Sequence, residues 1–282
     1  MLNAVLNYEQ DIFIDKQTVV GVNDLNIGYD IPESPISGLG KGYRFATING
    51  PQNATVNINR FFVGQDFFYD YTGENDQFSG ITREKNSGKT IIAFKDAYLT
   101  SHSISSQIGQ IPRISTTGII AGEVGSTING DFLPDEEESL PDPEIPNQGS
   151  VEIICDGHDF KSFNRVTSFN YNINIQRHFI YGLNEEFPIE VKTLPPKNIE
   201  GSFSIEIDEH DITDLKEYFS SKEMKDISIK LYDSHEYLSG TKNLIEEYET
   251  LGAKLLSHYV RTNASGNLEY FITYQKYENF DE

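Results

Sequence analysis

Apolar and polar residues alternate along much of this chain. Thr55-Val56-Asn57-Ile58-Asn59 and Leu99-Thr100-Ser101-His102-Ser103-Ile104-Ser105 do so in its first half, and Gly201-Ser202-Phe203-Ser204-Ile205-Glu206-Ile207 in its second. A period of two puts one side of an extended segment in a core and the other in water, so each reads as a half-buried strand. Further strands are predicted over 18–22, 24–31, 90–94, 151–155, 166–175, 189–193, 227–232, 254–261 and 268–276, separated by Gly-, Asn- and Pro-rich loops such as 32–42 and 49–53. Helical spacing is scarce. Asp211 can cap a helix whose stripe is Ile212, Leu215, Tyr218 and Phe219. Its first-half match is a short segment beginning at Asp66. Leu244, Ile245, Tyr248 and Leu251 share a helical face, which predicts a second helix over 242–251 with no first-half equivalent. The fold expected is mainly β: two similar antiparallel sheet or sandwich-barrel domains, each with a short packed helix.

The expectation of two domains comes from an internal echo. Residues 22–40 shifted by 144 land on 166–184 without a gap, and 6 of 19 positions are identical. Val22 meets Val166, Asn26 meets Asn170, Ile31 meets Ile175, Ile36 meets Ile180, Gly38 meets Gly182 and Leu39 meets Leu183. Downstream, Ala97, Leu99, Ser101 and His102 reappear as Ala253, Leu255, Ser257 and His258. The two echoes keep their order, as a duplicated unit requires. Gly38-Leu39 and Gly182-Leu183 read as a turn that needs glycine followed by a core leucine. Residues 134–149, with four prolines and five acids in the first nine positions, read as a stiff solvated connector or a surface loop. The predicted organisation is a first β domain over 1–133, a linker over 134–149 and a second domain over 150–282, with an insertion near 234–252.

Charge narrows the function. The chain of 282 residues carries 22 Lys and Arg against 44 Asp and Glu, a net charge of −22. The excess is shared: 9 basic and 20 acidic side chains in residues 1–150, 13 and 24 in the rest. Phosphate neutralisation of a nucleic acid has no basic face to use, and the same sign argues against an anionic membrane surface. A lone cysteine, Cys155, forms no intrachain disulfide, which fits a reducing compartment. No basic segment precedes Lys16 and no apolar run approaches membrane-spanning length, so neither a signal peptide nor a membrane span is expected. The sequons at Asn53 and Asn263 have no meaning without a secretory route.

Motifs that could carry chemistry fall short. Ser87-Gly88-Lys89-Thr90 resembles the end of a phosphate-binding loop, but Arg83 stands where the first glycine is needed, and a hairpin turn is expected. His102 and His258 hold equivalent repeat positions without metal-ligand spacing, so each is expected to satisfy a structural hydrogen bond. The other four histidines are scattered. Asp156-Gly157-His158-Asp159 and the run Asp135–Glu138 lack the ligand alternation of a calcium loop. With this many acids, some carboxylate pair will approach glycosidase spacing by chance, and no nucleophile elbow is present. Cys155 sits in the apolar run Val151–Cys155 and reads as a buried strand thiol. No catalytic residue, metal or cofactor is expected.

The run from Val19 through Ile31-Pro32-Glu33-Ser34-Pro35-Ile36 to Gly38-Leu39-Gly40, and the Asn49-Gly50-Pro51 turn before an alternating strand, resemble the tube-forming domain of bacteriophage tail proteins. The stretch Gly149–Asp208 is similar to the second copy in duplicated virion structural proteins of that kind. The resemblance implies rings stacked into a tail tube, with an inner β-barrel lining a channel for DNA. Single-domain members close a ring with six copies, so a tandem chain would close with three, giving −66 per ring. Acids on the lumen wall would repel DNA phosphates. The implied partners are further copies of the chain, other tail proteins and genomic DNA passing without specific binding. The implied location is the virion tail after synthesis in a host cytoplasm. The acidic connector and the segment 234–252 depart from the pattern and would suit a specialised tube, baseplate, adaptor or terminator component. Two alternatives stand beside it: a tandem β-sandwich that binds carbohydrate through exposed Tyr, and an enzyme with an unrecognised carboxylate site.

Overall fold

A computed structural model describes residues 10–30, 33–37, 44–49, 52–128, 130–134, 145–146, 151–156, 165–183, 185–207, 211–220, 223–233, 243–262 and 268–280. The architecture is mainly β, as the alternation predicts. The front half holds β1 (Gln10–Ile14), β2 (Gln17–Thr18), β3 (Val22–Asp30), β4 (Glu33–Ser37), β5 (Arg44–Asn49) and β6 (Asn53–Phe61). A 3-10 helix (Phe67–Thr72) follows, then β7 (Phe78–Glu84), β8 (Thr90–Gln107), β9 (Arg113–Ile120) and β10 (Val124–Gly125). The rear half holds β11 (Val151–Cys155), β12 (Val166–Tyr181), β13 (Pro188–Ile207), α1 (Asp211–Ser220), β14 (Lys225–Tyr232), β15 (Leu244–Thr262) and β16 (Leu268–Glu278).

Both halves pair their strands in one order, antiparallel throughout. In front, β1 joins β7, β7 joins β8, β8 joins β9, β9 joins β6 and β6 joins β3. Behind, β11 joins β14, β14 joins β15, β15 joins β16, β16 joins β13 and β13 joins β12. Irregularities recur at matching places. The register slips between Val22 and Asp24 and again between Val166 and Ser168, then between Leu99 and Ser101 and again between Leu255 and Ser257. The long strands β8 and β15 each change partner at a left-handed residue, Asp96 (φ 55°) and Gly252 (φ 67°). One strand can thereby serve two sheet segments that enclose a core between them.

The wiring behind those bends is duplicated too. Asp15 and Asp156, both at positive φ, end β1 and β11. The Asp15 carboxylate accepts from the Ser79 amide (2.8 Å) and the Tyr71 hydroxyl (2.6 Å). The Asp156 carboxylate accepts from the Asp226 amide (2.8 Å) and the Tyr218 hydroxyl (2.7 Å). Ser79 Oγ then accepts from the Asp96 amide at 3.1 Å, and the Asp226 carboxylate from the Gly252 amide at 2.7 Å. Each half thus ties its first strand to its helix through one carboxylate, and a second side chain, Ser79 in front and Asp226 behind, extends the tie to the bent strand.

Four expectations need correction. Residues 244–251 form no helix; they are the first part of β15 and pair with β14. Tyr248 and Thr250 point inward while Glu249 and Leu251 point out, so period two prevails over the coincidental helical spacing. Ala253 stands where Ala97 stands, so 244–252 matches the start of β8, and the extra length lies between Tyr232 and Leu244. The expected loop 32–42 contains β4, which pairs with β5 as a ribbon. Over 18–22 the chain leaves the sheet at Val19 and turns through Gly21 (φ 78°), where a Cβ would sit 2.8 Å from the Phe61 carbonyl oxygen. Finally, the sheet is not closed into a barrel within one chain: its pairing path is open at both ends. The proposed linker lies almost wholly outside the described residues.

Candidate assembly surface

The two halves are sewn together by β8 and β12. Seven residue pairs run from Ser168 opposite Gln107 to Asn174 opposite Ser101, and on the core side Tyr171 faces Ile104 and Ile173 faces His102. All four of these side chains are buried. A wedge fills the space beneath this seam. Tyr69, from the front 3-10 helix, sits between Tyr171 (ring centroids 6.4 Å apart) and Tyr248 (5.4 Å, edge-on).

At the head of that helix Asp66 forms a buried polar hub. Its carboxylate takes Arg60 Nη2 at 2.8 Å, His102 Nε2 at 2.9 Å and the Tyr248 hydroxyl at 2.8 Å, while its backbone amide donates to Glu246 at 3.0 Å. An ionised carboxylate only accepts, so His102 carries its proton on Nε2, leaving Nδ1 for Thr116 Oγ1 at 3.1 Å. Burial alone would raise the Asp66 carboxyl; His102, Arg60 and Tyr248 outweigh it and hold the group well below the usual carboxylate range. Burial raises the half-buried Glu246 carboxyl, with the Asp66 charge adding to the rise. Arg60 also lies over the Phe67 and Phe68 rings. Arg177 makes a second tie: it donates to the carbonyls of Leu99 (3.1 Å), Gly73 (2.9 Å) and Glu74 and to Thr193, across the ring of Tyr98.

The matching edges at the two ends have no strand partner among the described residues. Among the described residues β3 pairs only with β6, and the downstream part of β15 only with β16. Beside β3 lies an open groove of about 580 Å3, lined among others by Leu25, Ile27 and Ile92. Ile27 stands where Tyr171 stands and Ile92 where Tyr248 stands, so this groove is the front-half equivalent of the space that Tyr69 fills behind.

Two central rows of the sheet's solvent face are polar with few charges, and the adjoining row carries Arg113 opposite Ser105. One row runs through Asn26, Asn57, Thr117, Ser101, Asn174 and Asn198; the next runs through Asp24, Asn59, Ser115, Ser103, Asn172, Glu200 and Gln275. The second row continues from Gln275 to Lys254, so two acids and one base stand among these fourteen positions, in a chain of net charge −22. The row members bond among themselves: Asn59 to Asp24, Ser101 to Asn172, and Gln275 to Asn198 and Glu200.

The residues singled out by the echo do not form one site. Asn26 and Asn170 occupy matching places on the polar face, and Ile175 is core. Ile180 and Gly182 lie at the end of the β12–β13 hairpin, and Leu183 is 97% exposed rather than a core residue. Gly182 does not take positive φ, so the turn does not need glycine for that reason. Ile31, Gly38 and Leu39 lie outside the described residues, as does the side chain of Ile36. His102 enters the hub, and His258 Nδ1 meets the Tyr270 hydroxyl at 2.7 Å, so both serve structural hydrogen bonds. Ser87-Gly88-Lys89-Thr90 is the β7–β8 hairpin turn, with Gly88 at φ 65°. Cys155 is buried, and burial pushes its thiol up to about 12. Sequence reading did not find Arg60, Tyr69, Tyr171, Arg177, Glu246 or Tyr248. The useful signal was the Ala253–His258 echo, which, carried upstream, places Tyr248 on a strand. No family model and no curated protein matches the chain.

Proposed function

We propose that this chain is a self-assembling structural protein, a subunit of a bacteriophage tail tube, in which three copies close a pseudo-six-fold ring and stacked rings conduct the genome. The observation that carries the reading is the seam: one half already binds the next through β8 and β12, and the complementary edges at the two ends are unpaired among the described residues. A unit with matched donor and acceptor edges adds copies head to tail, and such contacts close into a ring when the rotation permits. Other tail components of the same build, such as a baseplate, adaptor or terminator protein, remain the next reading.

The polar face suits a conduit wall. Sequence-independent hold on a phosphate polymer requires Lys and Arg to displace counterions. Rows of Asn, Ser and Thr supply few, Lys254 and Arg113 at their margins, and keep their water. The lumen on this reading is close to neutral, with the bulk of the acid elsewhere. Exposed Tyr29, Tyr259 and Tyr277 keep the carbohydrate-binding alternative testable: glycan-array binding by the monomer, lost on substituting them, would favour it.

Electron microscopy of the purified chain at rising concentration tests the main reading. Rings or tubes of three-fold symmetry are expected. A chain that stays monomeric in the millimolar range and is absent from phage particles would overturn it.

A further inference from the structure

We infer that one copy of this chain binds the next by laying the downstream part of β15 against β3, in the register of the internal seam, while α1 enters the groove beside β3. This rests on the self-assembly part of the function proposed above and adds the surface, the register and the wedge.

The register follows from correspondences already described. β12 matches β3 with a shift of 144, fixed by the shared slip at Val22 and Val166, and β8 matches β15 with a shift of 156, fixed by the slip at Leu99 and Leu255. Carrying the pairs Phe169–Ser106 through Asn174–Ser101 across these shifts sets Leu25 opposite Thr262, Asn26 opposite Arg261, Ile27 opposite Val260, Gly28 opposite Tyr259, Tyr29 opposite His258 and Asp30 opposite Ser257.

Burial at the two places differs as a missing neighbour requires. Phe169, Tyr171 and Ile173 are all buried at the seam, whereas their counterparts Leu25 and Ile27 are half-buried and Tyr29 is 64% exposed. On the other strand His102 and Ile104 are buried, whereas His258 and Val260 are half-buried. Tyr259, 53% exposed, gains Gly28 opposite it, where no side chain obstructs the ring.

The wedge transfers as well. Tyr71 and Tyr218 hold the same place in the aspartate clamp, so Asp66 corresponds to Thr213 and Tyr69 to Lys216, both of which are exposed on α1. The groove they would enter carries Asp11 and Lys85 among its lining residues, while Asp24 at the same edge turns its carboxylate to Asn59 on the polar face. Lys216 therefore brings a cation beside Asp11. Where the internal seam uses a tyrosine wedge and a buried hub, the seam between copies uses a lysine that water can reach.

The test uses the full chain carrying two cysteines, Asn26→Cys with Arg261→Cys, beside an off-register control, Asn26→Cys with Tyr259→Cys. Native Cys155 is buried and does not compete. Under mild oxidation at concentrations where light scattering detects association, the in-register pair should yield at least tenfold more covalent oligomer than the control. Tyr29→Asp, a change at an exposed position, should raise the concentration needed for association at least tenfold without changing the monomer's melting temperature. Equal cross-linking by both pairs, or unchanged association of Tyr29→Asp, would overturn the inference. Three-fold rings without in-register cross-links would overturn it while leaving the tail-tube reading in place. In-register ladders that continue past three chains into open filaments would support the interface and remove the closed ring.

Discussion

The front and rear halves share their strand order, bulges and aspartate clamps, yet they are filled differently. Where Phe78 packs on Tyr71 in front (ring centroids 5.3 Å), Lys225 lies over Tyr218 behind (4.0 Å) and pairs with Asp156 at 3.0 Å. Where His102 is sealed under the seam with Asp66, His258 is half-buried against Tyr270. The comparison teaches that a repeated backbone framework fixes hydrogen-bond geometry, while the neighbour on each side decides whether a position becomes core. Equivalent histidines have different surroundings because one has a second half above it and the other is at an edge.

The largest expected effect comes from breaking what the rear half lacks. Asp66→Ala strips the partner from a buried Arg60 and should cost about 3–5 kcal/mol in denaturant unfolding. His258→Ala, on the open side, should cost roughly 1 kcal/mol or less. Similar losses at the two positions would mean that the hub is not what distinguishes the halves. Tyr248→Phe removes one hydrogen bond to a charged acceptor without opening a cavity, so a loss of about 1.5–3 kcal/mol is expected by the same measurement.

The clamps give the converse test. Asp15→Ala and Asp156→Ala should destabilise by amounts within about 1 kcal/mol of each other, since each loses one backbone and one tyrosine partner. The Lys225 ion pair adds a small, partly screened increment behind. A much larger gap would show that the matched geometry hides unequal roles.

Acid titration sharpens the hub further. The Asp66 carboxyl is lower in the folded chain than in the unfolded one, so its contribution is fully present above the unfolded value near 3.8 and is lost as pH falls below it. Asp66→Asn should therefore flatten the fall in stability below about pH 4 relative to the parent chain. At the other extreme, the raised Cys155 thiol loses stability as pH climbs from its ordinary 9.0 towards 12. Alkylation of the folded chain at pH 8 should be slow, with full labelling only after unfolding, followed by mass spectrometry.

Much of the fold was legible because alternation over 55–59, 99–105 and 201–207 reflects one buried and one wet face. The correspondence of β3 with β12 was legible as the 144-residue echo, whereas the matching slips near Val22 and Val166 appear only in the strand pairing. Residues 244–251 were misleading because four apolar residues at helical spacing also fit a strand whose inward positions are Tyr248 and Thr250. The hub was not legible. Arg60, Asp66, His102 and Tyr248 are polar or amphipathic residues far apart in sequence, and nothing local marks a carboxylate as destined for burial.

By itself the sequence determined a β-rich chain, its doubling, and which side of each central strand faces water, because side-chain alternation and repeat spacing are local properties. Tertiary structure alone decided that β8 meets β12, that Tyr69 wedges between Tyr171 and Tyr248, and that β3 and β15 end as open edges. Those outcomes depend on residues brought together from far apart in the chain, as Asp66 and Tyr248 are across 182 positions. The free energy of the apolar contacts among them comes from excluding water between surfaces that no sequence window contains.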